Sequence, residues 1–334
     1  MTLLSSALPL SLLALFACAA TRAVRGYALR SLLDLPNARS SHRVPTPRGG
    51  GLGIVVAFSA AVAVLCWQGR VPFEFLMALL GALPMAGIGF LDDHGHVPAR
   101  WRFLVHVGCA AWALWWLGGL GSVTLAGGRY ELGWAGNLLG GFLIVWVLNL
   151  LNFMDGIDGI AGTEAITACL SAAWLMPADA ASVPVLLALA AATAGFLAWN
   201  WPPAKIFMGD VGSGFVGFLL GVLAVRSAIA GELSLAVWLI LLGVFFVDAT
   251  VTLLRRMASG QRWYEAHRSH AYQHAALRLG SHKSVTLAVL AINLLWLLPL
   301  AVAAVAWPRW ELAFLLLAHG PLAVLALKLD AGKS

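Results

Sequence analysis

The chain has 334 residues, of which 61% are hydrophobic and only 11% are charged. Its mean hydropathy is +0.86, whereas soluble domains carry roughly 25% charged residues. These values exclude an ordinary soluble protein and indicate an integral membrane protein. The formal net charge of +6 fits basic loops at a lipid surface. We therefore expect the lipid bilayer as a partner, and no nucleic acid.

Apolar segments long enough to cross a bilayer, which takes about 20 residues, follow one another along the chain. We predict an all-α polytopic membrane protein with about 10 or 11 transmembrane helices and a single domain over residues 1–334. The first segment could instead be a signal peptide, but basic residues follow it rather than precede it, which favours a retained helix. The predicted spans are 3–21, 51–67, 73–91, 103–120, 136–151, 160–177, 182–200, 213–230, 234–254, 284–306 and 310–327.

The connections between these spans differ in charge. If the N-terminus lies outside, almost all of the 21 Lys and Arg residues fall on one side of the membrane, the exceptions being Arg70, Arg129, Arg226 and Arg309. The positive-inside rule makes that side cytoplasmic. On the other side, residues 122–134 alternate around Gly127-Gly128, which predicts a small periplasmic β-hairpin.

The carboxylates and amides on the predicted cytoplasmic side form three short islands at the ends of apolar segments. Carboxylates at a membrane edge are costly unless they bind something. Their oxygens suit a hard cation such as Mg²⁺, which keeps room for phosphate oxygens. If the islands meet, they form a magnesium and phosphate site, whereas any one of them alone could be a helix cap. They are Asp92-Asp93, residues 149–159 and residues 207–214.

Spacing within the islands suggests how they are used. Asp155 and Asp158 share one face if they lie on a helix, with Asn152 one turn back. Asp210 is flanked by glycines, and we expect the helix after it to open with N–H groups that attract anions. Zinc is the alternative metal, but the thiol-free surroundings favour magnesium.

Adjacent residues do not share a helical face. One of Asp92 and Asp93 is therefore expected to point into the site, while its neighbour caps a helix or pairs with Arg100 or Arg102. Two basic loops reach the same side of the membrane and can supply phosphate contacts. Their basic residues include Arg39, His42 and Arg48 in the first loop, and His267, Arg268, His270 and His274 in the second.

Five motifs occur in order along the chain. They are Pro45-Thr46 with Gly49-Gly50-Gly51, Leu91-Asp92-Asp93, Asn149 to Gly159, Phe207 to Ser213, and His267-Arg268-Ser269-His270. With these motifs the chain resembles, over nearly its whole length, the polyprenyl-phosphate N-acetylhexosamine-1-phosphate transferases, which include the phospho-N-acetylmuramoyl-pentapeptide transferase of peptidoglycan synthesis. The last motif and residues 39–42 are most similar to the branch that initiates O-antigen and related surface polysaccharides.

The resemblance implies a reaction at the cytoplasmic face of a bacterial inner membrane. N-acetylhexosamine 1-phosphate passes from a UDP-N-acetylhexosamine to undecaprenyl phosphate, UMP leaves, and Mg²⁺, or alternatively Mn²⁺, is the cofactor. The sugar stays open, as do direct transfer against a phospho-aspartate route and a homodimer against a monomer.

The resemblance also implies roles for single residues. Asp210 is the main magnesium ligand and Asn152 a second. Phe207 stacks on uracil, and the nucleotide is held by Asn149, Asp155 and Asp158. Asp92 and Asp93 serve the acceptor phosphate, with Asp92 the candidate base. The expected phosphate and substrate contacts are Arg39, His42, Arg48, Arg100, Arg102, His267, Arg268 and His270.

Two departures and two other classes qualify this interpretation. Ser269 stands where many relatives have a further histidine, and Pro47-Arg48 precedes the glycine triplet where the peptidoglycan enzymes have a shorter pattern, so a muramoyl-peptide substrate is not expected. A membrane prenyltransferase also uses Asn/Asp-rich motifs and Mg²⁺, but it would carry a second spaced Asp-x-x-x-Asp cluster. A transporter would place its carboxylates nearer the middle of the membrane.

Overall fold

The computed structural model describes residues 3–36, 44–261 and 267–333. Within them the helices are α1 Leu3–Ser31, α2 Leu52–Trp67, α3 Phe73–Leu80, α4 Ala82–His94, α5 Ala99–Trp116, α6 Trp134–Met154, α7 Ile160–Leu175, α8 Ser182–Asn200, α9 Asp210–Ile229, α10 Leu235–Leu241, α11 Gly243–Ala258, α12 Ala271–Leu279, α13 His282–Ile292, α14 Leu298–Ala306 and α15 Glu311–Lys328. A π-helix, Asn293–Leu297, joins α13 to α14, and a 3-10 turn, Pro308–Trp310, precedes α15.

Each predicted apolar segment coincides with a helix or with helices in tandem. Within the described residues, 7 helical spans are long and apolar enough to cross a membrane, or 8 if α10 and α11, bent by 84° where they meet, form one broken span. The other predicted segments are the shorter apolar helices α2 and α7 and α5, whose first turns carry Arg100 and Arg102. The predicted class, an all-α polytopic membrane protein, is confirmed.

Two small antiparallel sheets accompany the helices. The predicted hairpin is present as β3 Ser122–Leu125 and β4 Gly128–Glu131. Its turn lies one residue earlier than the sequence suggested, at Ala126 and Gly127, whose positive φ values of 51° and 75° are those of a tight hairpin turn. A second pair was not predicted: β1 Leu33–Asp34 and β2 Thr46–Pro47 tie the end of α1 to the approach to α2.

Helix α9 lies at the centre of the bundle and is buried along almost its whole length. It packs antiparallel against α6, and two glycines four residues apart permit the close approach. A Cβ on Gly217 would come within 2.8 Å of Leu148 Cα, and a Cβ on Gly221 within 2.8 Å of Ile144 Cα. The first turn of α9 is thereby held at the end of α6 that carries the first residues of the second acidic island.

The two ends of α9 carry different structures. Its last turn lies at the hairpin end of the molecule, where the Ser227 hydroxyl accepts a hydrogen bond from Trp238 Nε1 at 2.8 Å. There the Ala126 N–H donates to Glu311. Its first turn begins with Asp210, about 30 Å away at 1.5 Å per residue. The acidic islands and the hairpin therefore lie at opposite ends of the bundle.

Candidate active site

The N-terminus of α9 is held by a carboxylate from another helix. Asp93, near the end of α4 and 3% exposed, accepts the backbone N–H of Asp210 on Oδ1 and that of Val211 on Oδ2, each at 3.1 Å. The next two N–H groups of the helix donate to the Gly209 carbonyl at 3.0 Å. The N–H groups at this helix start attract an anion as predicted, but the anion is Asp93 of the same chain, so the expectation that they are free for a ligand is wrong.

Glycines allow the two helices to meet there. Gly209 has a φ of +74°, and a Cβ at that position would come within 2.5 Å of Asp93 Oδ2. A Cβ on Gly89, one turn before Asp93, would come within 2.3 Å of the Asp210 carbonyl oxygen. Arg48 closes the junction, since its Nε and Nη2 donate to the backbone carbonyl of Asp93 at 3.1 and 2.6 Å.

One guanidinium nitrogen joins the first and third acidic islands. Arg102 Nη1 donates to Asp92 Oδ2 at 2.8 Å and to Asp210 Oδ2 at 2.9 Å. Asp92 Oδ1 also accepts the Val97 N–H at 2.7 Å. The two adjacent acids have different partners, as expected, because Asp92 pairs with Arg102 beside Asp210 while Asp93 caps α9. That one of them points into a substrate site stays a prediction.

The second island reaches the same cluster through Asn152. Its Nδ2 donates to Asp210 Oδ1 at 3.2 Å and to Ser213 Oγ at 3.1 Å. Rotation of the amide would present Oδ1, the atom that binds a cation, to the same place. Asn149, one turn earlier on α6, donates its Nδ2 to the Val145 carbonyl at 2.8 Å.

Asp155 and Asp158 do not lie on a helix face, because residues 155–159 form the connection between α6 and α7. Asp155 is half-buried. Its pKa is raised well above its ordinary value, first by burial and then by the negative charges of Asp210, Asp93 and Asp158. The cluster therefore concentrates negative charge that a bound cation would neutralise.

Asp158 anchors this connection to two other parts of the chain. Its Oδ2 accepts the Ala204 N–H at 3.0 Å, and its Oδ1 lies 3.3 Å from His282 Nδ1. Its backbone carbonyl accepts the Thr286 hydroxyl at 2.9 Å. Both oxygens of the carboxylate are therefore already engaged. These contacts indicate that Asp158 stabilises the connection between α6 and α7.

Asn200, at the end of α8, is a positioning residue that sequence reasoning missed. It is 2% exposed. Its Oδ1 accepts the Gly159 N–H at 2.9 Å, and its Nδ2 donates to the Ile206 carbonyl at 3.0 Å. It thus links the second island to the residue that precedes the third. The available signal was an amide at the predicted end of an apolar segment on the same side of the membrane.

Phe207 lies in the connection between α8 and α9, three residues before Asp210. Its N–H donates to the Pro47 carbonyl at 2.8 Å, and its carbonyl accepts the Gly50 N–H at 2.9 Å. Its backbone is therefore paired with the glycine-rich approach to α2, and the residue is half-buried. Stacking of its ring on uracil stays a prediction.

The last motif forms a second capped helix start. Asp248 of α11, 5% exposed, accepts the N–H groups of Ala271 and Tyr272 at 2.9 Å, and His270 Nδ1 lies 3.3 Å from its Oδ1. The Tyr272 hydroxyl donates to the Phe153 carbonyl at 3.1 Å, which places α12 against the second acidic island. Asp248 was also missed, although a carboxylate inside the predicted span 234–254 was a signal.

His267 and Arg268 precede this helix. His267 Nδ1 lies 2.9 Å from Ser269 Oγ. Burial, and then the electrostatic influence of the neighbouring His270 and Arg256, lower the pKa of His267 to about 4. It is therefore neutral at pH 7, and any contact it makes with phosphate is a hydrogen bond without an ion pair. Arg268 Nε is buried and has no hydrogen-bond partner among the described residues.

Some predicted contacts lie away from the cluster. Arg100 is exposed, and its guanidinium carbon lies 5.6 Å from the centre of the Trp101 ring. Among the described residues it forms no ion pair with the acids. Arg39 and His42 lie outside the described residues, so their predicted contacts stay predictions.

The fold and this cluster define a polytopic membrane protein with acids, amides and arginines gathered at one end of its helices. Residues 75–228, which include all three acidic islands, match the model of glycosyl transferase family 4. The chain is 31% identical over 275 residues to the probable undecaprenyl-phosphate N-acetylglucosaminyl 1-phosphate transferase of Bacillus subtilis, covering 79% of this chain and 75% of that one.

Two further relatives support the same grouping. The decaprenyl-phosphate N-acetylglucosaminephosphotransferase of Mycobacterium tuberculosis is 32% identical over 314 residues, covering 81% of this chain and 75% of the relative. The phospho-N-acetylmuramoyl-pentapeptide-transferase of a Wolbachia species is 30% identical over 226 residues, covering 63% and 67%. The chain belongs to the family of polyprenyl-phosphate N-acetylhexosamine-1-phosphate transferases.

Proposed function

We propose that this protein transfers N-acetylhexosamine 1-phosphate from a UDP-sugar to undecaprenyl phosphate, with release of UMP, as the first membrane step of O-antigen or related surface polysaccharide synthesis. The observation that carries the proposal is the pairing of Asp92 and Asp210 with one nitrogen of Arg102. It lies at one end of a membrane-spanning bundle, where a long isoprenoid acceptor can stay in the bilayer while its phosphate meets a water-soluble donor. The predicted topology puts this end in the cytoplasm.

The donor atoms of the cluster suit Mg²⁺. Within the described residues no group of three or more His, Cys, Asp or Glu side chains is placed to hold a metal ion. The cluster instead offers two carboxylates, Asp92 and Asp210, and the amide of Asn152. Mg²⁺ is commonly held by one or two carboxylates, with water and substrate phosphates as its other ligands. These residues therefore fit a Mg²⁺ ion that the donor's diphosphate completes, and such an ion would neutralise charge on the leaving phosphate.

Arg102 is the residue best placed to respond to a substrate. It is partly exposed and already shared by two carboxylates. An arginine fork binds phosphate oxygens through two parallel hydrogen bonds. If Asp210 held Mg²⁺, Arg102 would keep Asp92 as its partner, and its other nitrogens would be placed to bind the acceptor phosphate.

The chemical step is a substitution at phosphorus. An oxygen of undecaprenyl phosphate forms a bond to the sugar-bearing phosphorus of the donor, the bond from that phosphorus to the bridging oxygen breaks, and UMP leaves with the bond's electrons. A phosphate monoester with a second pKa near about 6 is already largely dianionic at neutral pH. The acceptor therefore needs no general base, and most of the catalysis is charge neutralisation and alignment.

The positions of Asp92 and Asp93 favour direct transfer over a phospho-aspartate intermediate. Both oxygens of Asp93 accept backbone N–H groups, so attack by this carboxylate would uncap α9. Both oxygens of Asp92 are also engaged, by Val97 and Arg102. We assign Asp93 to positioning and Asp92 to orientation of Arg102 and the acceptor phosphate.

The donor nucleotide is proposed to lie between Phe207 and the connection that carries Asp155. The buried Nε of Arg268, which has no partner in the described part of the chain, provides a donor for a phosphate oxygen on the same side. The Tyr272 hydroxyl donates to the Phe153 carbonyl, next to the connection that carries Asp155. Burial first, and then the charges of Asp248 and Asp155, raise the pKa of this hydroxyl well above its ordinary value. The hydroxyl therefore stays a hydrogen-bond donor at physiological pH.

The proposal is tested by measuring UMP release from a panel of UDP-sugars in membranes that contain the protein and added undecaprenyl phosphate. The panel includes N-acetylglucosamine, N-acetylgalactosamine, N-acetylfucosamine and N-acetylquinovosamine. UMP release that requires both Mg²⁺ and the acceptor is expected with at least one sugar. Asp210→Asn membranes are the matched control. UMP release that is the same without acceptor, or a failure of every UDP-sugar beside an active relative, would refute the assignment.

A further inference from the structure

A buried carboxylate lies in the bundle, apart from the acidic cluster. Glu164, in the second turn of α7, is 0% exposed. Its Oε2 accepts a hydrogen bond from Asn293 Nδ2 at 2.6 Å, and the same nitrogen donates to the Thr167 hydroxyl oxygen at 2.8 Å. Asn293 is 4% exposed. An ionisable side chain inside a membrane-spanning bundle calls for a functional explanation.

Two irregular helices meet at this carboxylate. Asn293 opens the π-helix between α13 and α14, and π-helical turns are frequent at functional sites. The backbone N–H of Phe245, in the first turn of α11, also interacts with the Glu164 carboxyl group. Helix α11 begins at the 84° bend after α10. Broken helices of this kind bind small ions in membrane proteins, where the backbone is interrupted.

Burial disfavours the charge of this carboxylate, and the surroundings supply hydrogen-bond donors to it but no full positive charge. Asn293 and the start of α11 supply N–H donors, and a helix N-terminus carries only about half a positive charge. Within the described residues no Lys, Arg or His pairs with Glu164. His319 packs at the bend with its Nε2 2.9 Å from the Leu239 carbonyl oxygen.

Most titratable groups of the surrounding helices lie near helix ends, whereas Asp248 and His319 lie within α11 and α15. Of the helices that pack against α7, α6, α8, α10 and α14 carry no titratable side chain. The other two helices that pack against α7 are α9 and α13, and α11 and α15 lie nearby. Their titratable side chains are His282 and Lys283 on α13, Asp210 and Arg226 on α9, Asp248, Arg255 and Arg256 on α11, and Glu311, His319 and Lys328 on α15.

Apart from the interaction of the Phe245 N–H with the Glu164 carboxyl group, two oxygens at this junction have no hydrogen bond of normal geometry among the described residues. They are Glu164 Oε1 and Asn293 Oδ1, and both are buried. Both are acceptors or cation ligands, and neither can donate while Glu164 is ionised. Buried polar atoms are almost always paired, so a third group with positive or donor character is missing from this set.

We propose that Glu164, Asn293 and Thr167 form a binding site for a monovalent cation, either Na⁺ or a proton, that holds the junction of α7, α11 and the π-helix together. The cation neutralises the carboxylate and joins the two unpartnered oxygens. Because α11 also carries Asp248, which caps α12, an occupied site stabilises the helix that presents His270 and Tyr272. The site does not depend on the proposed transferase reaction.

The test is the thermal stability of the purified, detergent-solubilised protein, which needs no substrate. Tm is measured in NaCl and in choline chloride of equal ionic strength, from pH 6 to pH 9. Glu164→Gln is compared with wild type and with Glu74→Gln, a matched change at an exposed glutamate in the first turn of α3. If Na⁺ is the ligand, NaCl raises the Tm of wild type and of Glu74→Gln by about 2 °C or more, and Glu164→Gln does not respond.

If a proton is the ligand, the two salts give the same Tm, but the wild-type Tm falls as pH rises relative to that of Glu164→Gln. The reason is that ionisation removes the bound proton, which the glutamine amide replaces. If Glu164→Gln does not fold, Asn293→Leu, which keeps the carboxylate but removes the amide, must weaken the same response. A Tm difference between wild type and the variant that depends on neither Na⁺ nor pH would overturn the proposal.

Discussion

Asp93 and Asp210 are 117 positions apart in the chain, yet the carboxylate of Asp93 accepts the backbone N–H of Asp210 at 3.1 Å. One acid of an adjacent pair therefore holds in place the helix that presents the third acidic island. The other, Asp92, faces the Asp210 side chain across Arg102. Two neighbouring aspartates of the same charge thus have different physical tasks, which substitution can separate.

Asp93→Asn should lower stability and activity together, because an amide cannot accept both N–H groups as a carboxylate does. Loss of a helix cap costs about 0.5 to 2 kcal/mol, which is a shift of a few degrees in Tm. Asp92→Asn should lower the rate at least about tenfold, because Arg102 and the acceptor phosphate lose the carboxylate that orients them, with little change in Tm. Thermal unfolding and UMP release are measured on both variants. If Asp92→Asn is the unstable one, the two roles must be exchanged.

Asp210→Asn should reduce turnover by about 100-fold or more, since the proposed Mg²⁺ loses its main anionic ligand. The folded protein should persist in the membrane, because Asp93 bonds the backbone of residue 210 and not its side chain. Activity is measured over a range of Mg²⁺ concentrations, with expression and Tm as controls. Turnover like that of wild type at ordinary Mg²⁺ would contradict the metal assignment.

Phe207→Ala should raise the KM for the UDP-sugar, roughly 5- to 150-fold for a stacking contact of about 1 to 3 kcal/mol. The maximal rate should change much less, because stacking contributes equally to the ground state and the transition state. The KM for undecaprenyl phosphate should not change. Phe142→Ala, at an exposed position on α6, is the matched control. Lower stability with unchanged nucleotide affinity would show that Phe207 is a packing residue.

The raised pKa of Asp155 should make the thermal stability of the protein depend on pH when no divalent cation is present. Burial and the carboxylates around Asp155 raise its pKa in the folded protein, so the unfolded chain ionises at lower pH than the folded one. Stability is therefore lost as pH rises from the ordinary aspartate value towards the folded value. Asp155→Asn should gain Tm over wild type, by on the order of a few degrees, and the gain should grow from pH 5 to pH 8.

The same variant should lose donor affinity, so that stability and activity move in opposite directions. Added Mg²⁺ should reduce the difference in Tm between Asp155→Asn and wild type, because the cation stabilises the ionised cluster. The measurement is thermal unfolding with EDTA and with Mg²⁺ at each pH. A Tm difference that is constant across pH would show that Asp155 carries no unusual charge cost.

The orientation in the membrane is tested by labelling single cysteines in a version without the native ones at residues 18, 66, 109 and 169. A cysteine at Gly95, exposed at the end of α4, should react only from the cytoplasm. A cysteine at Thr124, exposed on β3, should react only from outside. Ser269 is unsuitable as a probe because it is 1% exposed. Reaction of both positions from one side would contradict the opposite placement of cluster and hairpin.

Much of this architecture could be predicted because the bilayer requires long apolar helices, and their alternation places Asp92, Asp155 and Asp210 on one side. The division of labour between Asp92 and Asp93 could not be derived. It depends on the rotation of α4 against α9, which follows from a backbone contact at Gly89. The N–H groups of α9 were wrongly expected to await a ligand, since no local pattern shows that a residue 117 positions away satisfies them.

Residues that act through others were the hardest to find. In the sequence, Asp248 is an isolated carboxylate inside an apolar span. Its role follows only from the structure, in which it accepts the first N–H groups of α12. Asn200 has no motif of its own and bonds two connections that are distant in sequence. Phe207 was identified by the resemblance, and its backbone contacts with residues 47 and 50 are long-range pairings that spacing does not reveal.

The glycine contacts between α6 and α9 have a consequence for how the protein tolerates different lipids. Gly217 and Gly221 hold the two helices backbone to backbone, so neither can slide or roll against the other without a collision. A bilayer that becomes thinner or thicker changes the tilt of the helices that cross it. Here α6 and α9 must tilt as one body, and the spacing between Asn152 on one and Asp210 on the other is preserved. The geometry of the cluster should therefore change little with the thickness of the membrane, although the acceptor proposed for it is itself a lipid.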